Sequence, residues 1–250
     1  MAIDLSANCV SRWKLNENAA DTNVEDSSDN SHDGSSQRNT TLMHIGSGQP
    51  PHLNGAFDFN GTDDYITVTD HNDWDFVTQS FTVSFWFKTT TAGTGFFINH
   101  RKKGNFNGWD IWMQTGHVWA RASEGSNTMQ ATSPLTYHDG TWYLCTVTFY
   151  RTSPDKLTIT IYINNVEVDS MGPTQHIYDL SNSEGLCIGS RLSQHAYFDG
   201  VMDCIMIFNK LLSSDERAYL YNNSYGTEGL KTACRRLVGC SLGQGKRGLA

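Results

Sequence analysis

The sequence predicts an all-β fold: two antiparallel sheets packed as a β-sandwich (jelly roll), with one short helix near the C-terminus. Three observations carry this. Apolar and polar residues alternate with a period of two over most of the chain, the pattern of half-buried strands. Gly, Asn and Asp interrupt those runs at short intervals, as tight turns require. Only one segment shows helix signals. A chain of 250 residues is long enough to bury a sizeable core as one large sandwich.

CVSRWKL (9–15) reads as the first strand. Residues 16–41 are rich in Asp, Asn and Ser, which is loop composition. GAFDFNGTDDYITVTD (55–70) has two short alternating runs about NGTDD. It predicts a hairpin, because Asn-Gly tolerates the positive φ of a tight turn. In FTVSFWFKT (81–89), Phe81, Val83, Phe85 and Phe87 share one face, and Thr82, Ser84, Trp86 and Lys88 the other. Short strands follow at FFINH (96–100), WDIWMQ (109–114) and HVWARAS (117–123). TWYLCTVTFYR (141–151) places Tyr143, Cys145, Val147 and Phe149 together. LTITIYINNVEV (157–168) directs Leu157, Ile159, Ile161 and Ile163 inward and turns at Asn164-Asn165. GLCIGSR (185–191) and YFDGVMDCIMIFN (197–209) complete the strands. SSDERAYLY (213–221) is the helix, opened by a Ser213/Glu216 capping box. One domain thus spans 1–223. The tail 224–250 is Gly-rich and basic, either a flexible extension or a docking arm for a partner subunit.

A formal net charge of −8 argues against general nucleic-acid binding. No apolar run approaches the roughly 20 residues of a membrane span. The opening MAIDLSANCVSRW has no basic segment followed by an apolar one. The expected location is extracellular or on a virion surface, reached after removal of a leader or inside a particle. Of six cysteines, none forms a CxxC, and no Cys/His group has zinc spacing. Cys145 and Cys187 sit in strand-like runs and are expected as buried free thiols.

The second face of the central strands combines Trp86, Trp112, Trp119 and Tyr162 with Asp110, Arg121, Lys88, Gln114 and several Thr. Aromatic rings stack on the apolar face of a pyranose while polar groups fix its hydroxyls. This face is therefore the expected ligand site. Acid-rich stretches hold Asp26, Asp29, Asn30 and Asp33; Asp63 and Asp64; and Asp199 and Asp203. Such oxygens suit calcium, but turn acids also serve as Asx turns. No residue set supports catalysis. The paired carboxylates of a glycosidase are missing, and EVD at Glu167–Asp169 is the nearest approach.

RWKLNE, DSSDNSHDG, GAFDFNGTDDYITV, SFTVSFWFKT, GTWYLCTVTFY, LTITIYINNVEV and FDGVMDCIMIFNKLLSSDERAYLYN occur in that order. Together they resemble the laminin G-like domains of the concanavalin A-like lectin/glucanase superfamily, from about Cys9 to Asn223. The resemblance implies two antiparallel sheets, one of them concave, and a mostly non-catalytic module that binds glycans, proteins or lipids. It also implies a calcium tying the loop after the first strand to the last strand, through Asp26, Asn30 and Asp203. Where the family often has an acid after that Asp, this chain has Cys204, which removes a charge beside the site. The function expected is recognition of a glycan or surface polymer. The alternatives are a homo-oligomeric virion or filament subunit, such as a phage capsid decoration or tail protein, and, least favoured, a polysaccharide-cleaving enzyme.

Overall fold

The computed structural model describes residues 3–46, 55–102, 104, 106–174, 176–191 and 196–223. The 224–250 tail, with Cys234 and Cys240, lies outside the described residues. The strands are β1 (Cys9–Trp13), β2 (Asn23–Val24), β3 (Gly34–Ser36), β4 (His44–Ile45), β5 (Ala56–Asn60), β6 (Ile66–Val68), β7 (Phe81–Lys88) and β8 (Gly95–Arg101). They continue as β9 (Gly108–Gln114), β10 (His117–Glu124), β11 (Asn127–Thr132), β12 (Tyr143–Ser153), β13 (Lys156–Ile163), β14 (Val166–Met171), β15 (Leu186–Ile188) and β16 (Asp199–Phe208). A four-residue helical turn, α1 (Thr40–Met43), precedes β4, and α2 (Ser214–Asn223) follows β16.

These form two antiparallel sheets of eight strands each. Sheet I runs β14-β13-β12-β7-β16-β5-β4, with β1 also paired to β16; sheet II runs β11-β10-β9-β8-β15-β6-β3-β2. The expected alternation sets both inner faces. Phe81, Val83, Phe85 and Phe87 of β7, with Leu157, Ile159 and Ile161 of β13, meet Trp109, Ile111, Met113, Val118 and Ala120 of sheet II. Phe81 stacks between Phe76 and Phe149, with ring centroids at 3.9 and 4.2 Å. Each side chain of this size, fully removed from water, contributes about 1.5–3 kcal/mol.

NGTDD is not a hairpin tip. β5 pairs with β4 and β16 in sheet I, while β6 pairs with β3 and β15 in sheet II. The segment carries the chain across the sandwich. Its local chemistry is that of a turn: Asn60 Oδ1 accepts the Thr62 and Asp63 N–H groups at 2.9 and 3.1 Å, and Gly61 has φ +69°. A Cβ at Gly61 would stand 2.7 Å from Asp199 Cβ, so glycine is needed there twice over. The corner is held by the buried Asp64 carboxylate, which takes a bidentate ion pair from Arg38 and accepts the Asn60 N–H at 3.0 Å. Turn residues look alike in a hairpin and a crossing; only the strands they join differ. Asn164-Asn165 is a true hairpin turn between β13 and β14, with φ +51° and +64°.

The polar stretch 16–41 is also more than loop, since β2, β3 and the start of α1 lie within it. The capping box forms as expected: Glu216 Oε2 accepts the Ser213 N–H at 2.9 Å, and Ser213 Oγ accepts the Glu216 N–H at 3.3 Å. Cys9, Cys145, Cys187 and Cys204 are free and buried. Burial pushes the Cys9 and Cys187 thiols up to about 12, so both are inert small apolar groups.

Candidate functional site

Strands β8 to β11 lie side by side at one end of sheet II. Their pairing aligns outward-facing residues into rows across the strands. Phe96 stands opposite Trp112, Trp112 opposite Trp119, and Trp119 opposite Thr132. The next row runs Asn99, Asp110, Arg121 and Gln130. Three rings stack along the first row, with centroids 5.9 Å apart for Phe96–Trp112 and 5.5 Å for Trp112–Trp119. Arg121 joins the two rows. Its guanidinium lies 4.5 Å from the Trp112 ring centroid, and its Nε donates to Asp110 Oδ1 at 2.9 Å.

Asp110 is fully buried and so needs its partner. The Arg121 fork supplies two donors, and Asn99 Nδ2 adds a long contact at 3.5 Å. Arg101 lies behind, donating through Nε to Ser123 Oγ at 2.7 Å and to the Phe106 carbonyl at 3.2 Å. Burial, then repulsion from Arg121, lowers the Arg101 guanidinium to about 10. Phe96 and Trp112 are each 5% exposed and form the packed middle of the face. Its open margin is half-buried Trp119, Arg121 and Thr132 with exposed Gln114 and Gln130.

The expected face is divided by the fold. Asp110, Trp112, Trp119 and Arg121 come together on sheet II, whereas Trp86 and Tyr162 lie on sheet I. There α2 covers them. Trp86 is 5% exposed, within a cluster of Leu5, Leu144, Met206, Phe208 and Leu220, and it stacks on Tyr221 at 6.1 Å. Arg217 sits 3.9 Å over the Tyr162 ring. Alternation sets the outward residues of β7, β9, β10, β12 and β13, but it does not say which strands share a sheet.

Asp26 is buried in the loop after β2. Its carboxylate accepts from the Arg12, Ser28 and His32 N–H groups and from the Ser28 hydroxyl, at 2.8, 2.9, 2.9 and 2.8 Å. Those four donors use the four lone-pair sites of a carboxylate. A calcium ion at Asp26 would have to displace them. Asn30 donates through Nδ2 to the Val10 carbonyl at 2.9 Å. Asp203 is buried on β16, opposite Trp86, just before an irregularity at which Cys204 takes φ +47°. The Glu167–Asp169 pair falls on the edge strand β14, and Asp169 Oδ2 accepts the Thr132 N–H at 2.7 Å.

Phe96 and Gln130 belong to the sheet II face but escaped the sequence reading. A bulge between Phe96 and Ile98 sends Phe97 and Ile98 both into the core, which breaks simple alternation. Gln130 lies on a strand without a strong apolar pattern.

Comparison with known structures agrees with the architecture. The binding domain of Paraclostridial Mosquitocidal Protein 1 superposes with a TM-score of 0.69 at 17% identity, over 88% of this chain and 53% of that one. The binding domain of botulinum neurotoxin DC, solved with rat synaptotagmin II, gives 0.65 at 15% identity over 88% and 52%. The botulinum neurotoxin serotype C1 binding domain gives 0.63 at 16% over 88% and 53%. The chain thus spans about half the length of these structures, and the likeness is one of fold. No curated protein sequence matches the chain. A family model described as concanavalin A-like lectin/glucanases superfamily matches residues 60–216, more than half of the chain. The chain belongs to this Laminin_G_3 family of the concanavalin A-like lectin/glucanases superfamily.

Proposed function

We propose that the chain is a non-catalytic recognition module that binds a glycan on the outer face of sheet II, over β10 and β11. The observation that carries this reading is the row Phe96–Trp112–Trp119, which ends in a half-open ring beside Arg121, Gln114, Gln130 and Thr132. A sugar presents an apolar face and a rim of hydroxyls. Trp119 offers a ring fixed by the stack behind it, so little side-chain entropy is lost on binding. Arg121 is already held by Asp110 and presents its remaining N–H groups in a set direction. The superfamily fold and the binding-domain identity of its structural neighbours support a recognition role.

Glycan-array binding of the intact chain and of Trp119→Ala and Gln130→Ala tests this. Loss of signal in Trp119→Ala, at a melting temperature within a few degrees of the parent, is the expected outcome. Binding that survives both substitutions would move the site to another surface. The alternative of a particle subunit rests in part on the 224–250 tail, which lies outside the described residues.

A further inference from the structure

We propose that His32, His71 and Asp73 form a divalent transition-metal site of the zinc class, with a further coordination position facing solvent. The three residues are remote in sequence. Pairing of β3 with β6, Gly34 opposite Val68, brings the loop carrying His32 against the short helical turn Asn72–Trp74 that follows β6. One ligand atom from each residue lies within 4.8 Å of the other two.

The hydrogen bonds around the two rings are compatible with a tautomer in which each presents a lone pair to the site. His32 Nδ1 lies 3.1 Å from the Val10 carbonyl, 2.9 Å from Ser11 Oγ and 3.6 Å from Asp26 Oδ2. With the Ser11 hydroxyl proton on the Val10 carbonyl, 2.8 Å away, every neighbour of Nδ1 is an acceptor. In that tautomer Nδ1 carries the proton and Nε2 presents a lone pair. That Nε2 stands 3.3 Å from Asp73 Oδ2, which is itself an acceptor. His71 Nδ1 is an acceptor that takes the Asp73 N–H at a long 3.2 Å, a contact a metal ion would replace, and it stands 3.4 Å from the same oxygen. Three acceptor atoms thus converge with the Asp73 N–H as the one donor named among them, and a cation would satisfy all three.

The spacing fits. Zinc–ligand bonds of about 2.0–2.1 Å at tetrahedral angles put ligand atoms about 3.3–3.4 Å apart. A ring whose second nitrogen donates to a carbonyl or carboxylate is the usual setting of a ligating histidine. His32 is preset: its side chain is 7% exposed, and it packs edge-on to Trp74 at 4.8 Å. The side chains of His71 and Asp73 are 50% and 36% exposed, so an ion can enter from solvent.

Zinc titration of the intact chain by calorimetry, Co²⁺ absorption spectra and melting with and without EDTA test the site. Expected are one strong zinc equivalent, the visible bands of a four-coordinate Co²⁺ complex, and a melting temperature raised by zinc and restored by EDTA. The exposed-residue variant His71→Ala/Asp73→Asn should weaken binding at least tenfold while melting like the metal-free parent. Equal zinc binding by parent and variant, no binding by either, or a nitrogen NMR signature showing His32 Nε2 protonated and unmoved by zinc would each overturn the proposal.

Discussion

The outer faces of the two sheets begin from the same pattern and end in different states. On both, aromatic residues alternate with polar ones. On sheet I, Trp86 and Tyr162 are roofed by α2, and Trp86 joins a second apolar cluster with Leu144, Phe208 and Leu220. On sheet II, the aromatics stack on one another in a row and leave Trp119 half-open at its end. An aromatic on an outward face is thus not evidence of a ligand until its cover is known. A helix converts such a face into core, whereas lateral stacking leaves an edge for recognition.

The sharpest test of that contrast is Trp86→Ala. Emptying a buried Trp site should cost about 3–5 kcal/mol in urea unfolding and detach α2. A loss under 1 kcal/mol would mean that the roof is not a packed layer. On sheet II, Asp110→Ala leaves Arg121 without its carboxylate. Because Arg121 keeps some solvent contact, the expected loss is about 2–3 kcal/mol, below the range for fully buried pairs. It should also disorder the Arg121 fork, and an unchanged stability would show that the pair is worth little.

His100 tests whether sheet II rests on a closed interior despite its open face. Both ring nitrogens are buried and lack a hydrogen bond of good geometry; their polar neighbours are the Glu184 backbone and the Asp75 and Asp70 oxygens, the latter two at 3.7 and 4.0 Å. Burial lowers the ring to about 3 from its ordinary 6.5. The unfolded chain therefore takes up the proton first. The contribution is complete above pH 6.5 and is lost as the pH falls toward 3, with a limiting slope of about 1.4 kcal/mol per unit. Subtracting the profile of His100→Asn isolates it; identical profiles would count against a dry interior. Ser213→Ala removes the α2 cap and should cost about 1 kcal/mol, raising protease cutting near Trp86. Trp119→Ala should have the smallest effect on stability, about 1 kcal/mol for one lost aromatic pair, while its effect on glycan binding is large. The reverse ranking of Trp86 and Trp119 would invert the comparison.

Much of the candidate face was legible. Alternation placed Asp110, Trp112 and Gln114, then Trp119 and Arg121, on outward faces because a strand has a side-chain period of two. Phe96 was hidden by a bulge that period-two reading cannot express. His32, His71 and Asp73 were invisible as a group because zinc spacing is recognised only when ligands are close in sequence. Here the β3–β6 pairing supplies the proximity. The acid-rich loop was legible as a feature, whereas the four protein donors that surround the Asp26 carboxylate come from the fold.

By itself the sequence determined the sandwich, the inward set of each central strand, the Asn164-Asn165 hairpin and the capped helix. These follow from interactions between residues close along the chain or from the burial of alternate side chains. Which sheet each strand joins was decided only by tertiary structure. NGTDD reads as a hairpin because its Asn60-Gly61 turn is local, yet it spans the two sheets because β5 and β6 find their partners in different sheets, with Arg38, from another loop, holding the corner through buried Asp64. The same holds for the two aromatic faces: their composition is written in the strands, while α2 covers one and leaves the other open.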